Sequence, residues 1–235
     1  MVKEVEIKGK VEGDLILPSG SYEHDFFIHD FTVERHLDAR RVKAAYLTFK
    51  RGYIGGWFLG ENLDVLRYFK LEGVEIGGAL DLEEASAHSF EILCEYIFRE
   101  VGPGEVERLR IYPRIGEEFH APRLKSDKIE FYHLKVGRNL DLSGAKIGKL
   151  HLSRCEVNGM LSLRGSKVGE ISFSEGRYKV LDVRGGKIKK FYGTALPELG
   201  EVLVDGESEL PQRLVDLLLS YFPDNRDIRR ARVRK

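Results

Sequence analysis

The chain is poor in the residues that most often carry chemistry or covalent bracing. It has two cysteines and one tryptophan among 235 residues, a single glutamine (Gln212) and four asparagines. Cys94 and Cys155 lie far apart without metal or redox spacing. Two thiols cannot make a disulfide framework, so both are expected reduced. No apolar run approaches the ~18–20 residues of a membrane-spanning helix. The opening Met1-Val-Lys-Glu-Val-Glu-Ile7 puts acids where a signal peptide is apolar. A cytoplasmic protein without a membrane span is therefore expected. Excess charge is missing too, with 38 Lys and Arg against 38 Asp and Glu. That argues against a global basic field for nucleic acid and against an acidic mimic of DNA. Scarce amides beside abundant Lys, Arg and Glu resemble the composition of hyperthermophile proteins, which bears on habitat and not on function.

The balanced charge is segregated along the chain. Residues 1–114 carry 15 basic and 21 acidic side chains, and residues 115–198 carry 16 and 10. A basic tail at 226–235 follows an acidic stretch at 199–225. Local patches therefore survive the overall cancellation.

What the sequence has is a repeat. Val136-Gly-Arg-Asn-Leu140-Asp-Leu142 is followed by Ile147-Gly-Lys-Leu150-His-Leu152, then by Val157-Asn-Gly-Met-Leu161-Ser-Leu163 and Val168-Gly-Glu-Ile171-Ser-Phe173. Each unit has a β-branched entry residue, a polar or glycine step, and an apolar–polar–apolar triplet. Such a triplet is a short strand with one buried face. Long and short units alternate, and one pair makes a coil of 21–22 residues. Entry residues recur at Val11, Val33, Ile54, Ile76, Ile115, Val136, Val157, Tyr178 and Leu199. The fold class that follows is all-β: a single-stranded β-solenoid of about eight coils, whose stacked core columns bury what one triplet cannot. Glycines at 55, 56, 77, 78, 137, 148 and 169 are read as turn positions between strands.

The step from Ile76 to Ile115 is too long. Ser89 followed by Phe90, Leu93, Cys94, Ile97 and Val101, with Gly102-Pro103-Gly104 behind, predicts a helical insertion at about 87–105. The short unit would then resume at Val106–Ile111. At the far end Ser208 and Leu210, Leu214, Leu217, Leu218 and Tyr221 predict a capping helix at about 209–222, within a cap at 208–223 that Pro223 closes. The solenoid domain thus spans 1–225, with 226–235 as a basic tail.

Ile76-Gly-Gly-Ala-Leu-Asp-Leu82 and Asn139-Leu-Asp-Leu-Ser-Gly-Ala-Lys-Ile-Gly148 resemble the divergent, glycine-containing branch of pentapeptide-repeat-like proteins. The resemblance is strong over about 136–187 and 54–86. It implies a repetitive β-helix with a scaffold or binding role. A more distant similarity is to bactofilin-like polymers.

Register predicts which outward side chains stack. In the short units Glu130, His151 and Ser172 would stand in the order acid, base, nucleophile, the arrangement that nucleophilic catalysis uses. Cross-strand ladders commonly hold the same residue types. Lys125, Lys146, Lys167 and Lys187 each end a long unit and would form an anion-binding cationic stripe, with the tail as a second basic element. The alternative for the stripe is solubility and protection against edge pairing. Seven histidines, at 24, 29, 36, 88, 120, 133 and 151, show no metal-ligand spacing. Ile54-Gly55-Gly56 lacks the Gly-Lys-Ser/Thr of a phosphate loop. No metal and no cofactor is expected.

The leading functional expectation is a non-enzymatic scaffold or protein-interaction module, with a protein partner or self-association. The insertion is its expected partner contact. The alternatives are an enzyme with a hydrolase-like site on the solenoid face or an oligomer interface, and electrostatic nucleic-acid binding through the lysine stripe and tail.

Overall fold

A strand of alternating apolar and polar residues buries only one face, so the apolar side of each coil must be roofed by the next coil. Leu80, Phe119, Leu140, Leu161, Leu181 and Val202 do this on successive turns, each paired in parallel register with the next. Leu47, Phe69, Phe90, Ile129, Leu150, Ile171 and Phe191 form the matching column of the short units. Both columns are buried throughout. The computed structural model describes residues 3–20, 24–93, 95–102, 105–111, 113–193 and 195–234. Together they make a parallel β-solenoid of about ten turns. Two turns beyond the expected eight arise at the ends. Lys3–Val11 pairs with His24–Val33, and Glu209–Pro211 adds a rung after Lys187–Tyr192.

The turns are made differently from the sequence expectation. Left-handed backbone recurs at two fixed places per coil, and non-glycine residues hold most of them: Arg41, Asn62, Glu84 and Arg123 at one corner, Asp30, Arg51, His133 and Arg154 at the other. The glycines at 55, 77 and 137 serve closeness instead. A Cβ on Gly137 would sit 1.8 Å from the carbonyl oxygen of Gly116 on the neighbouring coil, so only hydrogen fits there. The repeated Leu-Asp-Leu also has a local cause. Asp81, Asp141 and Asp182 each accept the backbone N–H two residues on, at 2.9–3.1 Å. These Asx turns hold the corner of the coils that carry an aspartate there.

The helical insertion is a misreading. Ser86–Leu93 is a strand of the solenoid, with Phe90 above Phe69 and Ile92 above Leu71. The excess begins after it, as an antiparallel hairpin of Glu95–Gly102 with Glu105–Ile111. Cys94, Pro103 and Gly104 lie outside the described residues. A period-2 rung running into a hairpin mimicked the i, i+3, i+4 pattern of a helix face. Consequently Glu91 joins Lys70 to Glu130 in the outward column.

The C-terminal cap forms where expected but starts later. Helix α1 spans Gln212–Tyr221 and buries Leu214, Val215 and Leu218. Ser208 does not cap it; the buried hydroxyl donates to the carbonyl of Val183 at 2.9 Å. The basic tail is not a separate appendage. Helix α2, Arg226–Arg230, buries Ile228 and starts at Asn225, whose side chain accepts the N–H groups of Asp227 and Ile228. Arg232–Arg234 then pairs in parallel with Glu209–Pro211 as a final rung.

Candidate anion-binding trough

Parallel in-register stacking converts a 21-residue spacing into a rung step of about 4.8 Å. Lys125 pairs with Lys146, Lys146 with Lys167, and Lys167 with Lys187. The four lysines are exposed and span about 14 Å along the solenoid axis. Ser86 and Asp64 continue the column toward the N-terminus. Beside the lysines runs an open trough of about 890 Å³, reaching from Asp64 and Leu66 past His88 to Lys187 and Lys189. Gly148 and Gly169 form part of its floor. Both are glycine because a Cβ would strike the carbonyl oxygen of the preceding rung, at 2.4 and 2.5 Å.

Several cations elsewhere on the surface are paired across rungs. Arg51 meets Asp30, Lys135 meets Glu156, Arg154 meets Glu175 and Arg177 meets Glu198. In the column next to the trough, Glu170 stands between Lys149 and Lys190 at 3.5 and 3.9 Å. The ladder breaks this habit. Lys187 pairs with Glu209, but among the described residues no carboxylate lies within an ion-pair distance of Lys125, Lys146 or Lys167. Neighbouring ammonium groups one rung apart repel by roughly 0.9 kcal/mol in water before screening. Two carboxylates line the trough and both are engaged: Asp127 with His88 at 3.0 Å, and Asp64 with the Ser86 hydroxyl at 2.8 Å.

The acid–His–Ser column is only partly realised. Nδ1 of His151 lies 2.7 Å from the Ser172 hydroxyl. Glu130 stands one rung away but accepts from Lys128 at 2.7 Å, with no hydrogen bond to His151 among the described residues. The pair sits in a hollow of about 280 Å³ beside Tyr132 and Tyr192. Ladder pairing engages the backbone on both sides of it, so the site lacks the free N–H groups that stabilise an oxyanion.

No family model, curated protein or solved structure matches the chain. What the fold shares with the resembled family is the repetitive parallel β-helix itself. No helix among the described residues is long and apolar enough to cross a membrane. The described histidines are spread over separate partners: His29 on Glu6 and Asp30, His36 on the N–H of Trp57, His120 between Glu83 and Asp141. Among the described residues no three potential ligands gather into a metal-binding group.

Sequence reasoning found the ladder but missed the far end of its trough. Beside that end, three residue positions from the ladder's column, Tyr46 and Tyr68 stack with ring centroids 5.9 Å apart and planes 14° apart. The bulge between Val65 and Tyr68 pushes Leu66 and Arg67 outward, and the Arg67 guanidinium lies 6.0 Å from the Tyr46 ring. The 22-residue interval between the tyrosines was the available signal; the bulge hid it.

Proposed function

We propose that this chain is a non-enzymatic binding module, a rigid scaffold that holds an anionic partner in the lysine trough. The observation that carries this reading is the in-register run of lysines, three of which stand on successive rungs without a carboxylate partner among the described residues. Folding gains nothing from such a run, since the lysines repel one another. A polyanion along the trough would relieve that repulsion and release its own counterions. The rung spacing makes the site linear, so a chain of charges suits it better than a single small anion.

The test is a titration of the full chain with fluorescently labelled inorganic polyphosphate across salt. Four engaged lysines give a slope of log affinity on log salt of about −3, and two give about half that. A Lys146→Gln, Lys167→Gln variant is expected to show the smaller slope with unchanged thermal unfolding. Equal slopes for the two proteins would overturn the reading.

By its Ile-Gly-Gly-Ala-Leu-Asp-Leu and Asn-Leu-Asp-Leu-Ser-Gly-Ala-Lys-Ile-Gly phrases we place the chain with divergent pentapeptide-repeat-like solenoids, acting in the cytoplasm. The hydrolase-like alternative is favoured only by the His151–Ser172 contact. Among the described residues no acid meets the second imidazole nitrogen.

A further inference from the structure

The trough is not uniform along its length, and the difference identifies its occupant. At the C-terminal end it is a row of ammonium groups. Near the N-terminal end, three residue positions to the side of the ladder's column, stands an aromatic stack. Rings that lie face to face on successive rungs have their normals roughly along the solenoid axis. Tyr46 and Tyr68 are the first two members of such a column. The register places Ser89 third, and Lys128 fourth. Ser89 is small and buried, and its hydroxyl turns to Glu91 at 3.2 Å. The aromatic column therefore stops with the 40%-exposed Tyr68 facing a rung that supplies no ring. A planar group from a ligand can stack on that exposed ring, in the column three residue positions, about 10 Å, to the side of the lysine ladder.

Three ligand properties follow. The occupant is linear and anionic, to follow four lysines along the axis. It carries planar apolar faces within reach of its charges, to continue the stack on Tyr68. It is narrow: three residue positions, about 10 Å, separate the ladder from the Lys128, Lys149 and Lys190 column. A duplex buries its bases and is too broad for that width. An acidic peptide or a polyphosphate has charges without bases. Stacking platforms beside a cationic groove are the general means of holding unpaired nucleotides.

Resting on the trough as an anion site, we propose that its occupant is a single-stranded nucleic acid, lying along the solenoid axis with phosphates on Lys125, Lys146 and Lys167 and a base stacked on the exposed ring of Tyr68. Lys187 contributes less, because Glu209 holds it. Recognition is tolerant of sequence, since every base has a face to stack and no base-edge contact is required.

The experiment compares three probes on the full chain at fixed salt: oligo-dT of about 15 nucleotides, an abasic strand of equal length and charge, and inorganic polyphosphate. Oligo-dT is expected to bind about tenfold more tightly than the abasic strand, the worth of one stacked base. Tyr68→Ala should remove that difference and leave abasic and polyphosphate binding unchanged. Tyr68→Phe should keep it, which separates stacking from any effect on folding. The Lys146→Gln, Lys167→Gln variant should weaken all three. If oligo-dT and the abasic strand bind equally and Tyr68→Ala changes nothing, the occupant is another polyanion and the nucleic-acid assignment fails while the trough stands. If none of the three binds, both fail.

Discussion

At the scale of single residues the molecule shows where stacking is satisfied and where it is not. Tyr178 is buried at 1% exposure, and among the described residues its hydroxyl is a buried polar side-chain atom without a partner. Burial pushes its pKa well above that of an ordinary tyrosine. The neighbouring Cys155 is also buried, and desolvation drives its thiol up to about 12, so it stays protonated and inert. An unsatisfied buried hydroxyl costs about 1–3 kcal/mol. Tyr178→Phe is therefore expected to raise the stability measured by urea unfolding by roughly 1 kcal/mol. A loss of that size would mean that the hydroxyl has a partner after all. The same scale explains why Glu130 does not complete the acid–His–Ser column. Residues two apart on a strand share a face, so Lys128 competes with His151 for the carboxylate and wins. The 21-residue spacing made the His151–Ser172 contact legible, but it carried no information about competition within a strand.

At the scale of elements, the first coil is fastened differently from those behind it. Its strand Lys3–Val11 has a neighbour on one side only among the described residues. His29 bridges the two, 2.5 Å from Glu6 and 3.0 Å from Asp30. The hydrogen bond to Glu6, and then that to Asp30, raises the His29 pKa above 6.5. A group whose pKa rises on folding stabilises the fold fully below its unfolded value, and that contribution fades as pH climbs through the folded value. The first coil should therefore loosen as pH rises through and above neutrality. Asp30 acts in the opposite window. Arg51, then His29, holds its carboxyl far below the usual range, so its contribution fades only in acid. Amide exchange in residues 3–8, corrected for intrinsic rates, should be faster at alkaline pH than at mildly acidic pH. Glu6→Gln should flatten that difference, and pH-independent protection in the unaltered protein would contradict it. Elements were unevenly legible in the sequence. Rungs with two core residues and a glycine step could be read directly, as at 136–173. The Ser86–Leu93 rung could not, because its apolar residues run on into the hairpin and suit a helix equally well.

At the scale of the whole molecule, phase decides the outcome. Leu140, Leu161 and Leu181 lie over one another because the coil length barely varies, and the outward columns inherit that register. Core and ladder were readable for this reason. The bulge at Leu66–Arg67 and the last rung were not, since each interrupts the period. That last rung separates two roles for the basic tail. Ile228 and Ala231 are buried, and Arg232–Arg234 covers the edge of Glu209–Pro211. Ending the chain at Asn225 removes α2 and this rung but leaves the whole lysine ladder. It strips a buried isoleucine from the cap, at about 2–4 kcal/mol, and exposes a sheet edge open to another chain. The truncated protein should melt roughly 5–15 °C lower and self-associate in light scattering, while the monomer keeps its salt-sensitive affinity for polyphosphate. Unchanged melting with lost affinity would instead make the tail the polyanion site and the ladder a solvated edge.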